Sequence, residues 1–252
     1  MRSIKVATSS DGVKRNERGH TGAMATTRAR LPRLPRATRV GGVSVRLWAS
    51  ERTRAALPLL VVHDGPEYAR RARLLEVIAD AVGTDRLPPL RAALLESADR
   101  NEDYSASAAY ARRLVRYVLP ALPPASVRIG VGASLGALAL LHAHAAAPAF
   151  VSARFLQSGS FFRKRTDPQE RTFPRFGRIT RFVRSVQGMP IPVTMTCGAE
   201  EENLANNRLM RDELSARGYP VRLHELPGGH DWGAWRRGLD PYLLELVARV
   251  AG

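Results

Sequence analysis

The sequence predicts an α/β protein, a mostly parallel sheet with helices on both faces. Three observations carry this. Short apolar runs alternate with helical stripes along most of the chain. One run, "LPLLVVH" at 57–63, is apolar almost throughout, as a strand buried on both faces must be. A chain of 252 residues, 44% of them hydrophobic, fills one large domain rather than two.

The elements follow in order. "VSVRLWA" alternates apolar and polar residues and reads as an edge strand. After "LPLLVVH", residues 67–82 form a helix with Leu74, Leu75, Ile78 and Val82 on one stripe. "LRAALLES" is the next strand. Residues 105–119 form a helix stopped by Pro120. "VRIGV" is a strand, and 135–147 is an Ala-rich helix that ends before Pro148. "SARFL", "IPVTMT" and "YPVRLHE" are further strands. Leu204 to Arg217 is a helix closed by Gly218, and a last helix runs from Trp232 to Val250. Strand–helix alternation of this kind builds parallel connections.

Residues 1–38 are polar, basic and without periodicity, and are expected to be a disordered tail ahead of a single domain at 39–252. Net charge is +16, with ten Arg/Lys in residues 1–39 against Asp11 and Glu17, and eight in 160–190 against Asp167 and Glu170. Neither stretch carries a nucleic-acid-binding signature, so nucleic acid is not the expected partner. Cys197 is the single cysteine, which excludes an internal disulfide or a multi-cysteine zinc site. With no apolar run of membrane-spanning length and no apolar signal region, the expected location is the cytoplasm.

The candidate chemistry begins at "GVGASLG", residues 130–136. Ser134 sits between a buried strand and a helix, where a sharp turn exposes a serine as a nucleophile. Gly132 and Gly136 keep side chains out of that turn, and the Leu135 N–H at the helix start is aimed at a developing oxyanion. A serine needs a base. His142 and His144 are two apart on a helix and make a poor metal pair, and His63 precedes the serine. His230 lies in a Gly-rich loop between the last strand and the last helix, at a strand's C-terminal end, where open α/β sheets place their sites. Glu200, Glu201 and Glu202 follow "IPVTMT" and supply the acid, completing the order serine, acid, histidine. No metal or organic cofactor is required.

These stretches carry a resemblance. "VVHDGPEY", "DRNEDY", "GVGASLGALAL", "LQSGSFF", "CGAEEENLANNRLMRDEL" and "GGHDWGAWRRGL" resemble the esterase family of α/β-hydrolases that includes enterochelin (siderophore) esterases and mycolyltransferases. The resemblance implies the α/β-hydrolase fold and a serine esterase that works through an acyl-enzyme, with Ser134 as nucleophile and His230 as base. It places the acid three residues after Gly198, at Glu201. The second oxyanion donor is then expected in "HDGPEY". Pro66 has no N–H, which leaves Gly65, while Asp64 braces the loop.

Residues 160–190 follow the strand after the nucleophile helix, where this fold inserts a cap. Their arginines interleave with five phenylalanines, which suits an anionic, aromatic ester such as a siderophore-type ester or lactone. An amphipathic helix with a solvated basic face is the plainer reading. Arg100 and Trp232 are assigned to the substrate, against an ion pair with Glu102 and core packing respectively. The alternatives are an acyltransferase using the same acyl-enzyme and a non-catalytic basic binding protein. Oligomeric state is not legible.

Overall fold

Residues Leu59–His63 are all buried. Leu59 and Val61 face one hydrophobic cluster, and Leu60 and Val62 face another. This period-two division puts a helical layer on each side of the strand. A computed structural model describes residues 33–51, 53 and 55–252. Most of the expected tail, residues 1–32, lies outside the described residues.

The strands are β1 (Thr38–Val40), β2 (Val43–Ala49), β3 (Leu59–His63), β4 (Arg91–Glu96), β5 (Arg128–Ala133), β6 (Ala153–Gln157), β7 (Val193–Gly198) and β8 (Val221–Leu226). They form one sheet in the order β1-β2-β4-β3-β5-β6-β7-β8. From β4 to β8 every pairing is parallel, while β1–β2 and β2–β4 are antiparallel. The expected edge strand is therefore second from the edge. Thr38 pairs with Val45, so the terminal strand β1 begins inside the stretch read as tail.

The helices are α1 (Gly65–Arg71), α2 (Leu74–Gly83), α3 (Arg100–Tyr104), α4 (Ala108–Arg113), α5 (Leu119–Ala121), α6 (Leu135–Ala146), α7 (Phe176–Val183), α8 (Leu204–Ala216), α9 (Trp232–Gly238) and α10 (Leu244–Ala251). Residues of α3, α4, α6, α7 and α8 pack in one cluster, and those of α1, α2, α9 and α10 in the other.

Several expected helices are broken. The 67–82 helix is two helices, parted at Arg73, whose φ of 56° no α-helix accommodates. The 105–119 helix starts later, capped by the Ser107 side chain accepting from the Tyr110 N–H. It passes through a π turn at Leu114–Val118 and ends at Ala121, one residue past Pro120. The last helix is interrupted at Asp240 (φ −116°, ψ 118°), where Pro241 pushes the residue before it out of the helical region.

Candidate active site

Strands β5, β6 and β7 end side by side, and each delivers one part of the candidate site at its C-terminal end. From β5 the chain turns directly into α6 through Ser134, held at φ 54° and ψ −124°. That is a strained conformation for a residue with a side chain. Sequence explains why it closes here: a Cβ on Gly132 would lie 2.6 Å from the Gly136 carbonyl carbon, so only glycine lets the turn fold so tightly. The Ser134 N–H donates to Gln157 O (2.9 Å) and its carbonyl accepts from the Ser160 N–H (3.1 Å), which clamps the turn to the end of β6.

The acid and the histidine meet through a hydrogen bond. Glu201, on the turn after β7, has a fully buried carboxylate, and its Oε2 lies 2.8 Å from His230 Nδ1. Its Oε1 accepts from the Gly198 N–H (2.7 Å) and from Ser158 Oγ (2.5 Å). Ser158 Oγ in turn accepts from the Trp235 indole N–H (2.9 Å). Donor inventories fix the direction of this chain. Indole nitrogen and backbone N–H only donate, so the Ser158 hydroxyl proton points at Glu201. Burial acts to raise the Glu201 carboxyl, but the bonds from His230, Ser158 and Gly198 outweigh it and hold it below the usual carboxylate range. An ionised Glu201 requires His230 Nδ1 to carry the proton, which leaves Nε2 as the basic nitrogen.

Ser134, Leu135, Glu201 and His230 line one open cleft of about 530 Å³. No hydrogen bond joins Ser134 to His230. Ser134 Oγ lies instead 3.1 Å from Ser160 Oγ. Glu200 and Glu202 also line the cleft, on either side of Glu201, and only Glu201 bonds His230. Asn203 approaches the same nitrogen at 3.4 Å.

Of the remaining expected site residues, Arg100 lines the cleft. Its guanidinium is bidentate on Asp64, with Nε and Nη2 2.9–3.0 Å from the carboxylate oxygens, and it does not pair with Glu102. Burial raises the Asp64 carboxyl despite that partner. Gly65 is buried at the start of α1 and is not in the cleft lining. Its loop still abuts the nucleophile turn, since a Cβ on Gly136 would lie 3.2 Å from His63 Cβ and 3.4 Å from Asp64 Oδ2. Trp232 is not in the lining either. It stacks edge-on against Tyr68 and Trp235, under the Arg71 guanidinium, as packing.

No arginine of 160–190 is in the cleft lining. Arg163 bonds Glu213, Arg175 and Arg178 both bond Glu102, and Arg163, Arg165 and Arg184 line a separate cavity. What this segment gives the cleft is Ser160, Phe162, Glu170 and Phe173. His63 is fully buried between Tyr104 and Tyr110, its pKa pushed down to about 3 by burial and the nearby Arg100 charge. Sequence reasoning passed over Ser158 and Ser160. The signal lay in "LQSGSFF", three small residues directly after a buried strand.

Among the described residues no cluster of His, Cys, Asp and Glu has the make-up of a metal site, and no helix is long and apolar enough to cross a membrane. No family model and no curated protein matches the sequence. Solved structures do. The enterobactin esterase of Shigella flexneri, solved in the presence of 2,3-di-hydroxy-N-benzoyl-serine, superposes with a TM-score of 0.71 at 21% identity, over 85% of this chain and 60% of its own. The ferric enterobactin esterase of Salmonella typhimurium gives 0.69 at 19%, over 86% and 60%. A ferulic acid esterase gives 0.65 at 15%, over 83% and 93%. The chain thus spans about 60% of the length of these enterobactin esterases. The shared architecture is the α/β-hydrolase fold.

Proposed function

We propose that this α/β-hydrolase chain hydrolyses carboxylic esters through a covalent acyl-enzyme on Ser134. One observation carries the reading: a serine in a strained strand-to-helix turn opens on the same cleft as a histidine oriented by a buried, ionised glutamate. Ser134 Oγ attacks the ester carbonyl carbon, and His230 Nε2 takes the hydroxyl proton as it does so. The serine then exchanges its bond to Ser160 for one to His230, a contact that tightens in the substrate complex. The Leu135 N–H, at the start of α6 in the cleft lining, is the oxyanion donor of this reading, and the Gly65 loop beside the turn is where a second donor would have to come from. Collapse of the tetrahedral adduct releases the alcohol, which leaves with the proton from His230. Water, deprotonated by the same nitrogen, then frees the acid. Glu201 stays ionised throughout and supports the imidazolium.

The substrate we infer is an aromatic ester or lactone bound against Phe162 and Phe173. Siderophore-type lactones are the first to test, on the fold shared with enterobactin esterases. Arg100 is the one cleft cation open to an anionic group, and Asp64 already shares its charge. A fluorophosphonate probe should label Ser134, and Ser134→Ala should abolish labelling with the circular dichroism spectrum unchanged. Labelling that persists in the variant overturns the assignment. Arg163 and Arg165 line a separate cavity, so Arg163→Ala combined with Arg165→Ala should leave kcat/KM unchanged for anionic and neutral esters alike. A selective loss on the anionic ester would return those arginines to the substrate.

A further inference from the structure

At the end of the sheet opposite the cleft, the protein buries a positive charge with no counter-charge. Arg154, the second residue of β6, is fully buried, and among the described residues none of its three guanidinium nitrogens has a well-formed hydrogen bond. Among the described residues no carboxylate acts on it, and the neighbouring group that bears on its charge is Tyr219, whose ring lies 5.2 Å below the guanidinium carbon. Such a charge is strongly destabilising unless something accepts its hydrogen bonds.

Two more polar atoms beside it are buried without a well-formed hydrogen bond among the described residues: Tyr219 Oη, which stands close enough to act on the guanidinium, and His144 Nδ1. Both side chains close on Gly188: a Cβ there would stand 2.8 Å from Tyr219 Oη and 3.3 Å from His144 Cδ2, and at φ 147° the position favours glycine besides. Tyr219 is only 4% exposed and His144 not at all. His144 Nε2 lies 2.8 Å from Met189 O, so it donates there, and Nδ1 of the neutral ring is an acceptor. Burial and the Arg154 charge both disfavour a protonated His144. The tally of these groups is one-sided. A guanidinium and a phenol offer six N–H and O–H protons, against one imidazole lone pair and the phenol oxygen.

We infer that Arg154 and Tyr219 bind a small monovalent anion of the halide class, enclosed beneath the β6 end of the sheet. A single negative charge balances a single guanidinium, whereas phosphate or sulfate would import a second charge that no second cation there meets. The anion would tie the segment around Gly188 to β6 and β8, which makes it a structural ligand independent of the cleft chemistry.

The test compares thermal unfolding in sodium chloride and in sodium gluconate at matched ionic strength, with diffraction from crystals grown in sodium bromide. Wild-type Tm should rise with chloride alone, by about 5–10 °C over a hundredfold range above Kd. Arg154→Met, which keeps the volume and deletes the charge, should lose the chloride dependence. Tyr219→Phe, which deletes one donor, should weaken it. An anomalous bromine peak should lie within hydrogen-bond distance of the Arg154 guanidinium. Equal Tm in chloride and gluconate, a chloride effect that survives in Arg154→Met, or ordered water in place of the bromine peak would each overturn the site.

Discussion

The Ser158 hydroxyl is the residue on which the candidate acid depends. It receives the Trp235 indole proton and spends its own on Glu201 Oε1, so Glu201 is left with one oxygen for His230. Ser158→Ala removes that donor without touching the nucleophile. Ester turnover should fall by about tenfold with KM unchanged, and the downfield proton resonance of His230 Nδ1–H should move. Glu201→Gln should cost more, on the order of 10²–10⁴ in kcat, because a neutral amide no longer supports imidazolium. Glu200→Gln and Glu202→Gln, whose carboxylates do not bond His230, should stay within a few-fold of wild type. Steady-state kinetics on the four variants separates these outcomes. The residues alone leave Glu200, Glu201 and Glu202 open, and only the family resemblance points to Glu201. Ser158 is not legible in sequence, because its importance arises only when Trp235, 77 residues later, folds back over it.

Between elements, Glu102 is the joint. It sits on α3 and binds Arg175 and Arg178, at the start of α7, while Arg178 also donates to Ser105 O at 2.6 Å. Those two arginines hold the Glu102 carboxyl below its usual range. The segment fixed this way carries Glu170 and Phe173 into the cleft wall. Glu102→Ala should therefore raise KM for an aromatic ester several-fold with kcat little changed, and the effect should grow with the size of the acyl group. An equal fall in kcat for large and small esters would detach this joint from the substrate. At this scale the sequence shows strands well and helix breaks poorly. A strand buried on both faces is a local fact, written in consecutive apolar residues such as Leu59–Val62. The left-handed Arg73 between α1 and α2 and the π turn at Leu114 carry no comparable run of residue types. The arginines of 160–190 show the same limit. Their pattern in sequence does not show that Glu102 and Glu213, remote along the chain, pair with Arg163, Arg175 and Arg178.

Over the whole molecule, the buried histidines set the response to acid. His63 titrates at about 3 in the fold and near 6.5 when unfolded. Between those values the unfolded chain binds the extra proton, so stability falls as pH drops, by about 1.4 kcal/mol per unit at the steepest. His142 and His144 are shifted the same way by burial and add to the slope. Urea unfolding should show wild type losing stability from pH 7 to pH 5, and His63→Phe losing about 2 kcal/mol less over that interval. Identical slopes for the two proteins would mean that His63 is protonated in the fold.

The backbone of Ser134 has a consequence for how the protein can be measured. A serine at φ 54°, ψ −124° keeps that geometry only while β5, α6 and the end of β6 are assembled around it. Once the sheet opens, the bond rotates to an ordinary angle and the hydroxyl becomes one of many. Covalent labelling is then a gauge of assembly as well as of chemistry: the fraction of chains that take up a fluorophosphonate in a short pulse counts the chains that are folded. Across a urea series the labelled fraction should trace the same curve as tryptophan fluorescence, midpoint for midpoint. A labelling midpoint at lower urea would show the turn springing open ahead of the rest, and would give the free energy that the surrounding strands spend on holding it shut.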